Sequence, residues 1–189
     1  MRKWILAICA LTLVSAATCV QAQNTKTGEL KTVSFVDVKR YGGTWYEIAR
    51  YANKAQKQCV GNTTATYNFR AGGEVEVVNK CLTKDGKTED ATGMAKIIDT
   101  QTNAKLKGSF AWLSSAPYWV IDLDENYQYA VVGNPDRKYL WILSRTPEIN
   151  ETTYQNILRK VEIAGYNPAK LEKTPQKLET VKGAVVKKQ

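Results

Sequence analysis

From Trp45 to Arg145 apolar and polar residues alternate in short runs of about eight to ten, each bounded by turn residues. That spacing predicts an all-β barrel or sandwich. The first strand is expected over Thr44 to Tyr51 and the second over Val60 to Phe69. Arg70-Ala71-Gly72-Gly73 turns into a third from Glu74 to Leu82, and Lys84-Asp85-Gly86-Lys87 leads to a fourth ending near Asp99. Leu106 to Trp112, Tyr118 to Leu123, Gln128 to Gly133 and, after Asn134-Pro135-Asp136-Arg137, Lys138 to Arg145 complete eight. No helical pattern separates them, so neighbours are expected to be antiparallel, because parallel strands need long crossovers.

After Pro147 the period changes. Tyr154, Ile157, Leu158 and Val161 fall at i, i+3, i+4 and i+7, one apolar stripe of a helix that can lie on the barrel wall. Asn150 suits its N-cap, Ile149 and Tyr154 could staple its entry, and Gly165 suits its end. Upstream, Phe35 to Tyr41 mixes apolar residues with Asp37, Lys39 and Arg40, which suits a short helical plug across one barrel end.

Arg2 and Lys3, the apolar run Trp4 to Ala17 and the site Val20-Gln21-Ala22 form a secretory leader over residues 1–22. Residues 23–32 are expected to be a linker, 33–173 one domain, and 174–189 a flexible basic tail. Cys19 raises the alternative of a lipid anchor, against which stand Thr18 before it and the absence of a leucine three residues earlier. Without Arg2 and Lys3 the chain carries 25 basic and 18 acidic residues, net +7, much of the excess in the tail. A solvated tail is the simple reading, and no nucleic-acid partner is expected.

The chain has no histidine. A Ser-His-Asp or Cys-His catalytic unit, a His-bearing zinc site and a His-ligated haem are therefore excluded. Beyond the leader only Cys59 and Cys81 remain, too few for a Cys-only zinc site and too far apart for a Cys-x-x-Cys pair. In an oxidising compartment they are expected to join as a structural disulfide. A simple register does not set them opposite each other, so a bulge or bend is required. No metal and no cofactor are expected.

Tyr41-Gly42-Gly43-Thr44-Trp45-Tyr46-Glu47 near the start and Leu140-Trp141-Ile142-Leu143-Ser144-Arg145 near the end each read as a strand with an aromatic and a charged residue at set positions. The pair resembles the lipocalin signature, a Gly-x-Trp on the first strand and an arginine ending the last. The spelling is similar to that of bacterial outer-membrane lipocalins and of apolipoprotein D, the latter especially over Ser109 to Trp119. The resemblance implies an eight-stranded antiparallel up-and-down β-barrel with one C-terminal flanking helix, plugged at one end and open at the other. It assigns Gly43, Trp45 and Arg145 to the closed end as architecture, with the guanidinium over the indole.

The same resemblance implies that the cup binds an apolar or amphiphilic small molecule, a fatty acid or lysophospholipid. Strand alternation points Trp141 inward with Leu143 and Arg145. Trp141 is thus the first candidate for cavity lining, with Tyr129, Trp119 and Tyr67 behind it and Trp112 as a lip or a peripheral membrane contact. Glu47 shares the face of Trp45, and a carboxylate inside an apolar cup requires hydrogen-bond partners. A periplasmic or outer-membrane location is expected in a bacterial host, a secreted one otherwise, and a monomer or weak dimer in either. The alternatives are an enzyme using a cavity carboxylate or tyrosine, and an interaction protein with no cavity. Asn62-Thr63-Thr64 and Asn150-Glu151-Thr152 match the glycosylation acceptor pattern, which matters only in a eukaryotic host.

Overall fold

In the computed structural model, residues 28–110, 113–181 and 184–187 are described. The leader, Cys19 and Trp112 lie outside them. Eight strands follow one another: β1 (Gly43–Tyr51), β2 (Cys59–Phe69), β3 (Glu74–Thr83), β4 (Thr88–Ile97), β5 (Lys105–Phe110), β6 (Leu113–Leu123), β7 (Tyr129–Gly133) and β8 (Leu140–Ser144). Each pairs with its sequence neighbour, and β8 and β2 both pair with β1, so the sheet closes into an antiparallel barrel. Turn residues sit where the backbone needs them: Gly72, Gly73 and Gly86 all have positive φ, in the two hairpin turns expected there.

The strand β6 begins five residues earlier than the alternation suggests. Ser114 to Pro117 falls between two of the expected strands, yet Ala116 and Pro117 pair with Gly108 and Lys107. Pro117 is tolerated because β7 joins β6 only from Trp119 onward, so the missing N–H interrupts no ladder on that side.

Alternation sorts the apolar residues into two cores. Val75, Val77, Val120, Val132 and Leu143 face the barrel interior, while Val131, Ile142 and Leu140 face outward against the helix α2 (Glu151–Ile163). Tyr154, Ile157 and Val161 of the predicted stripe are its buried residues. The Asn150 side chain accepts from the Thr153 amide at 2.8 Å. At the other end the Gly165 and Tyr166 amides donate to the Glu162 and Val161 carbonyls, with Gly165 at φ 84°. That is the Schellman arrangement, which uses glycine because the left-handed region costs it nothing. Leu30, in the stretch expected to be a linker, is 4% exposed and packs into this outer core.

The closed end forms as the sequence motifs imply. Asp37 caps the one-turn helix α1 (Val38–Tyr41) through the Lys39 and Arg40 amides. Trp45 is fully buried and donates from its indole nitrogen to the Tyr41 carbonyl at 2.8 Å. The Arg145 guanidinium lies 3.7 Å from the Trp45 ring centroid and donates to the carbonyls of Thr44, Arg40, Tyr41 and Gly42. These carbonyls converge where α1 gives way to β1, and a fan of acceptors suits the fixed fork of a guanidinium. Gly43, at φ 86°, makes the bend between them.

Trp45→Ala is expected to cost about 3–5 kcal/mol, as large aromatic deletions do. Arg145→Ala is expected to destabilise too, and the double variant by less than the sum, because the two side chains share one contact. Urea denaturation of the single and double variants measures this; a wild-type midpoint for either would remove the closed end from the list of determinants.

Candidate functional site

The site begins with an irregularity in β1. Its register against β8 shifts between Glu47 and Ala49. Trp45 therefore faces the interior, whereas Ala49 and Tyr51 pack in the outer core under α2. Glu47, on the inner side of the shift, is 3% exposed and lines the cavity.

Beyond Tyr46, β2 no longer pairs with β1; the ladder between them covers only Gly43–Tyr46 against Thr64–Tyr67. The gap is filled by the chain after α2. Strand β9 (Leu171–Lys173) pairs with Ala49–Tyr51. The segment that follows, expected to be a flexible tail, runs as a strap between the two strands: the Thr174 amide donates to the Ile48 carbonyl and the Asn62 amide to the Pro175 carbonyl. The Gln176 side-chain amide donates to the Glu47 carbonyl at 2.8 Å and the Thr63 carbonyl at 3.1 Å, one group bridging β1 and β2. Two short strands continue from it, β10 (Leu178–Val181) and β11 (Ala184–Lys187).

Glu47 finds the partners it requires in the surrounding elements. Its Oε1 accepts from Arg50 Nη1 at 2.8 Å and Thr174 Oγ1 at 2.5 Å, and its Oε2 from Gln56 Nε2 at 2.7 Å. Gln56 sits in a turn after β1 whose start is capped by Asn53. Its Oε1 in turn accepts from Trp141 Nε1 at 3.1 Å. Carboxylate, strap and the cavity tryptophan thus belong to one network.

The floor is polar but closed on itself. The Tyr118 hydroxyl lies 2.7 Å from that of Tyr41 and donates to that of Tyr67 at 2.9 Å. Burial raises the pKa of all three above the ordinary tyrosine value of 10.0. They stay protonated wherever the protein is folded near neutrality.

Between this floor and the rim lies a cavity of about 130 Å3. Tyr67, Val77, Ala65 and Leu143 line its lower wall, Trp141 and Tyr139 one side, and Glu47 and Thr63 the side closed by the strap. Tyr139 and Trp141 are stacked, with centroids 5.8 Å apart and planes 6° from parallel. The exposed residues Lys80, Glu89 and Asp90 mark the open mouth. Cys59 and Cys81 are joined, with Cα atoms 5.5 Å apart, and the bridge lines the upper wall. The irregularity it requires is present: the β2–β3 register shifts twice between Cys59 and Thr64.

Of the predicted lining residues, Trp141, Tyr67 and Glu47 are brought together in this cavity. Trp119 and Tyr129 are not. Tyr129 is opposite Ser144 and Trp119 opposite Gly133, while their neighbours Ala130 and Val120 take the inner face. Both rings pack on the outer core, Tyr129 bonded to Lys160 Nζ at 3.0 Å and Trp119 beneath the Lys105 ammonium, 4.5 Å from its centroid. Gln56, Thr63, Thr174 and Gln176 are the residues that sequence reasoning did not single out. The Asn62-Thr63-Thr64 motif marked their neighbourhood only as a glycosylation acceptor.

A closed antiparallel barrel with one wet end, an apolar interior and a single flanking helix defines the class of small-ligand-binding cups. The chain belongs to the lipocalin family: the lipocalin-like domain matches residues 36–176, ending on the strap glutamine. Temperature-induced lipocalin-1 of Arabidopsis thaliana is 39% identical, over 80% of this chain and 86% of its own. Outer membrane lipoprotein Blc of Escherichia coli strain K12 is 41% identical, over 73% of this chain and 78% of its own. Insecticyanin of the tobacco hornworm Manduca sexta shares the fold, with a TM-score of 0.63 at 20% identity over 78% of this chain and 84% of its own.

Two outcomes test this geometry. A Cβ on Gly61 would lie 2.4 Å from the Pro175 carbonyl oxygen. Gly61→Ala is therefore expected to loosen the strap, seen as faster hydrogen exchange at the Thr174 amide; unchanged exchange would mean that the strap does not depend on this contact. Above pH 10 the floor tyrosines must ionise on unfolding but not in the folded barrel. The stabilising contribution is full below the unfolded value and is lost as pH rises toward the folded ones. Unfolding free energy is expected to fall with alkaline pH, with part of the tyrosinate absorbance appearing only on denaturation.

Proposed function

We propose that the protein is a carrier that sequesters a single-chain amphiphile, of the fatty acid or lysophospholipid kind, inside its barrel. The observation that carries this is the cavity: apolar at its lower wall, floored by the bonded tyrosines and bordered at its mouth by charged residues. Its volume of about 130 Å3 lies below the roughly 300–1,000 Å3 of sites for drug-sized molecules, which favours one slender chain. Lower wall for the chain and mouth for the head is the orientation that satisfies both. Burial of the chain drives the reaction, at about 25 cal/mol for each Å2 of apolar surface removed from water.

Binding rather than catalysis is supported by the state of the reactive groups. The two cysteines among the described residues are in the disulfide, the floor tyrosines are held protonated by burial, and both Glu47 oxygens are engaged by Arg50, Thr174 and Gln56. An exported setting, with a role in maintaining envelope lipids, is supported by the leader motif, the disulfide and the naming of a relative as an outer membrane lipoprotein. The carrier is expected to act as a monomer or weak dimer.

Tryptophan fluorescence should change saturably on titration with alkyl amphiphiles, and Trp141→Ala should diminish both signal and affinity. Lengthening the chain should tighten binding by up to about fourfold per CH2, the equivalent of about 0.8 kcal/mol. An affinity independent of chain length, or an unaltered signal in the variant, would move the site to the outside of the barrel.

A further inference from the structure

We infer that Gln56 determines how long an alkyl chain the cavity accepts, by bracing the turn between β1 and β2 across the open end; the inference deepens the internal site proposed above and rests on it. Ala55, Gln56 and Gln58 of that turn all line the cavity, so the turn overhangs the space a chain must enter. Among residues 54–58, Gln56 is the one whose side chain is hydrogen-bonded to the barrel. Lys54, Lys57 and Gln58 are exposed, whereas Gln56 is half-buried. The overhang is thus fastened at a single side chain.

The groups it joins dictate the residue type. An indole nitrogen only donates, and the carboxylate of Glu47, paired with Arg50, only accepts. A side chain placed between them must accept on one side and donate on the other, as a primary amide does. Gln56 Oε1 accepts from Trp141 Nε1 at 3.1 Å, and its Nε2 donates to Glu47 Oε2 at 2.7 Å. Asn53 holds the amide in that orientation, donating from Nδ2 to Gln56 Oε1 at 2.8 Å and accepting the Gln56 backbone amide at 3.1 Å.

The other walls are tied more firmly. The Cys59–Cys81 bridge staples β2 to β3, the floor hydroxyls bond one another, and the strap closes the gap between β1 and β2 through backbone hydrogen bonds. The space enclosed is about 130 Å3. A methylene compares in size with a water molecule, whose share of volume is roughly 30 Å3, so on the order of four fit. Further methylenes are buried only if the turn lifts. Lifting breaks both Gln56 side-chain bonds to the barrel and leaves Glu47 Oε2 without its one donor among the described residues. A buried acceptor so stripped is costly. That cost falls on every chain beyond the limit and on none below it.

The test is a series of straight-chain alkanoates from butanoate to tetradecanoate, each titrated below its micelle concentration against the purified wild type, Gln56→Met and Gln56→Ala. Wild-type affinity is expected to rise by up to about fourfold per CH2 in the short members, then to break at about six carbons, beyond which each CH2 adds less than about twofold. Gln56→Met keeps the length of the side chain without either bond to the barrel, and Gln56→Ala removes the bulk as well. Both are expected to move the break to longer chains, Gln56→Ala at least as far as Gln56→Met. Should Gln56→Ala fail to fold, Gln56→Met decides. A purely structural Gln56 would weaken all members alike and leave the break in place. A break at the same length in all the proteins, or the full increment up to tetradecanoate in the wild type, overturns the inference while leaving the internal site intact. Affinity independent of length from butanoate onward, in wild type and variants alike, would remove the internal site itself.

Discussion

The shift in β1 between Glu47 and Ala49 is the constraint on which the rest depends. Before it, the inward residue is Trp45, the base on which the closed end is stacked. After it, the buried residues Ala49 and Tyr51 turn outward and hold the helix to the barrel wall. One irregularity thus allows a single nine-residue strand to serve the inner core, the polar wall and the outer core in succession. Bulges commonly re-aim side chains beside functional sites. Here the re-aiming leaves β1 and β2 diverging above Tyr46, and the chain after α2 is drawn into the opening.

That insertion explains how a carboxylate is kept inside an apolar cup. An unpaired buried charge costs several kcal/mol, about 3–5 when one partner of a buried pair is lost. Glu47 avoids this with three donors from three parts of the chain: Arg50 on its own strand, Gln56 in the following turn and Thr174 from the strap. Because Gln56 also receives the Trp141 indole, the orientation of the cavity tryptophan is linked to the seat of the strap. Thr63 borders the network through its backbone carbonyl, which accepts from Gln176, while its buried hydroxyl has no partner among the described residues.

The eight strands and the α2 stripe with its Asn150 cap were legible from their period, the Trp45 and Arg145 pair from the resemblance to the lipocalin signature, and the Cys59–Cys81 bridge from the count of cysteines beyond the leader. Trp141 was legible because it lies two residues from Leu143 on an unbroken strand. Trp119 and Tyr129 were not, because an amphipathic ring beside a lysine fits either face, and only the register against β7 and β8 assigns them to the outer one. The strap was the least legible element. Thr174 and Gln176 are isolated polar residues among lysines, and the group they satisfy, Glu47, is 127 residues from Thr174. Local pattern carries no trace of such a pairing, so a buried segment read as tail. Conversely, Glu47 was recognisable as a carboxylate in need of partners without any sign of which they were.

The account stands or falls on where an alkyl chain goes. Solution NMR of the methyl-labelled protein with a bound single-chain dodecyl amphiphile measures this directly through intermolecular contacts. The account predicts contacts from the alkyl protons to the methyls of Ala65, Val77 and Leu143, with the head group toward the mouth at Lys80, Glu89 and Asp90. Contacts to outward-facing methyls instead, at Met94 on the sheet, at Ile98 just past the end of β4 or at Ile163 on the helix, would contradict it.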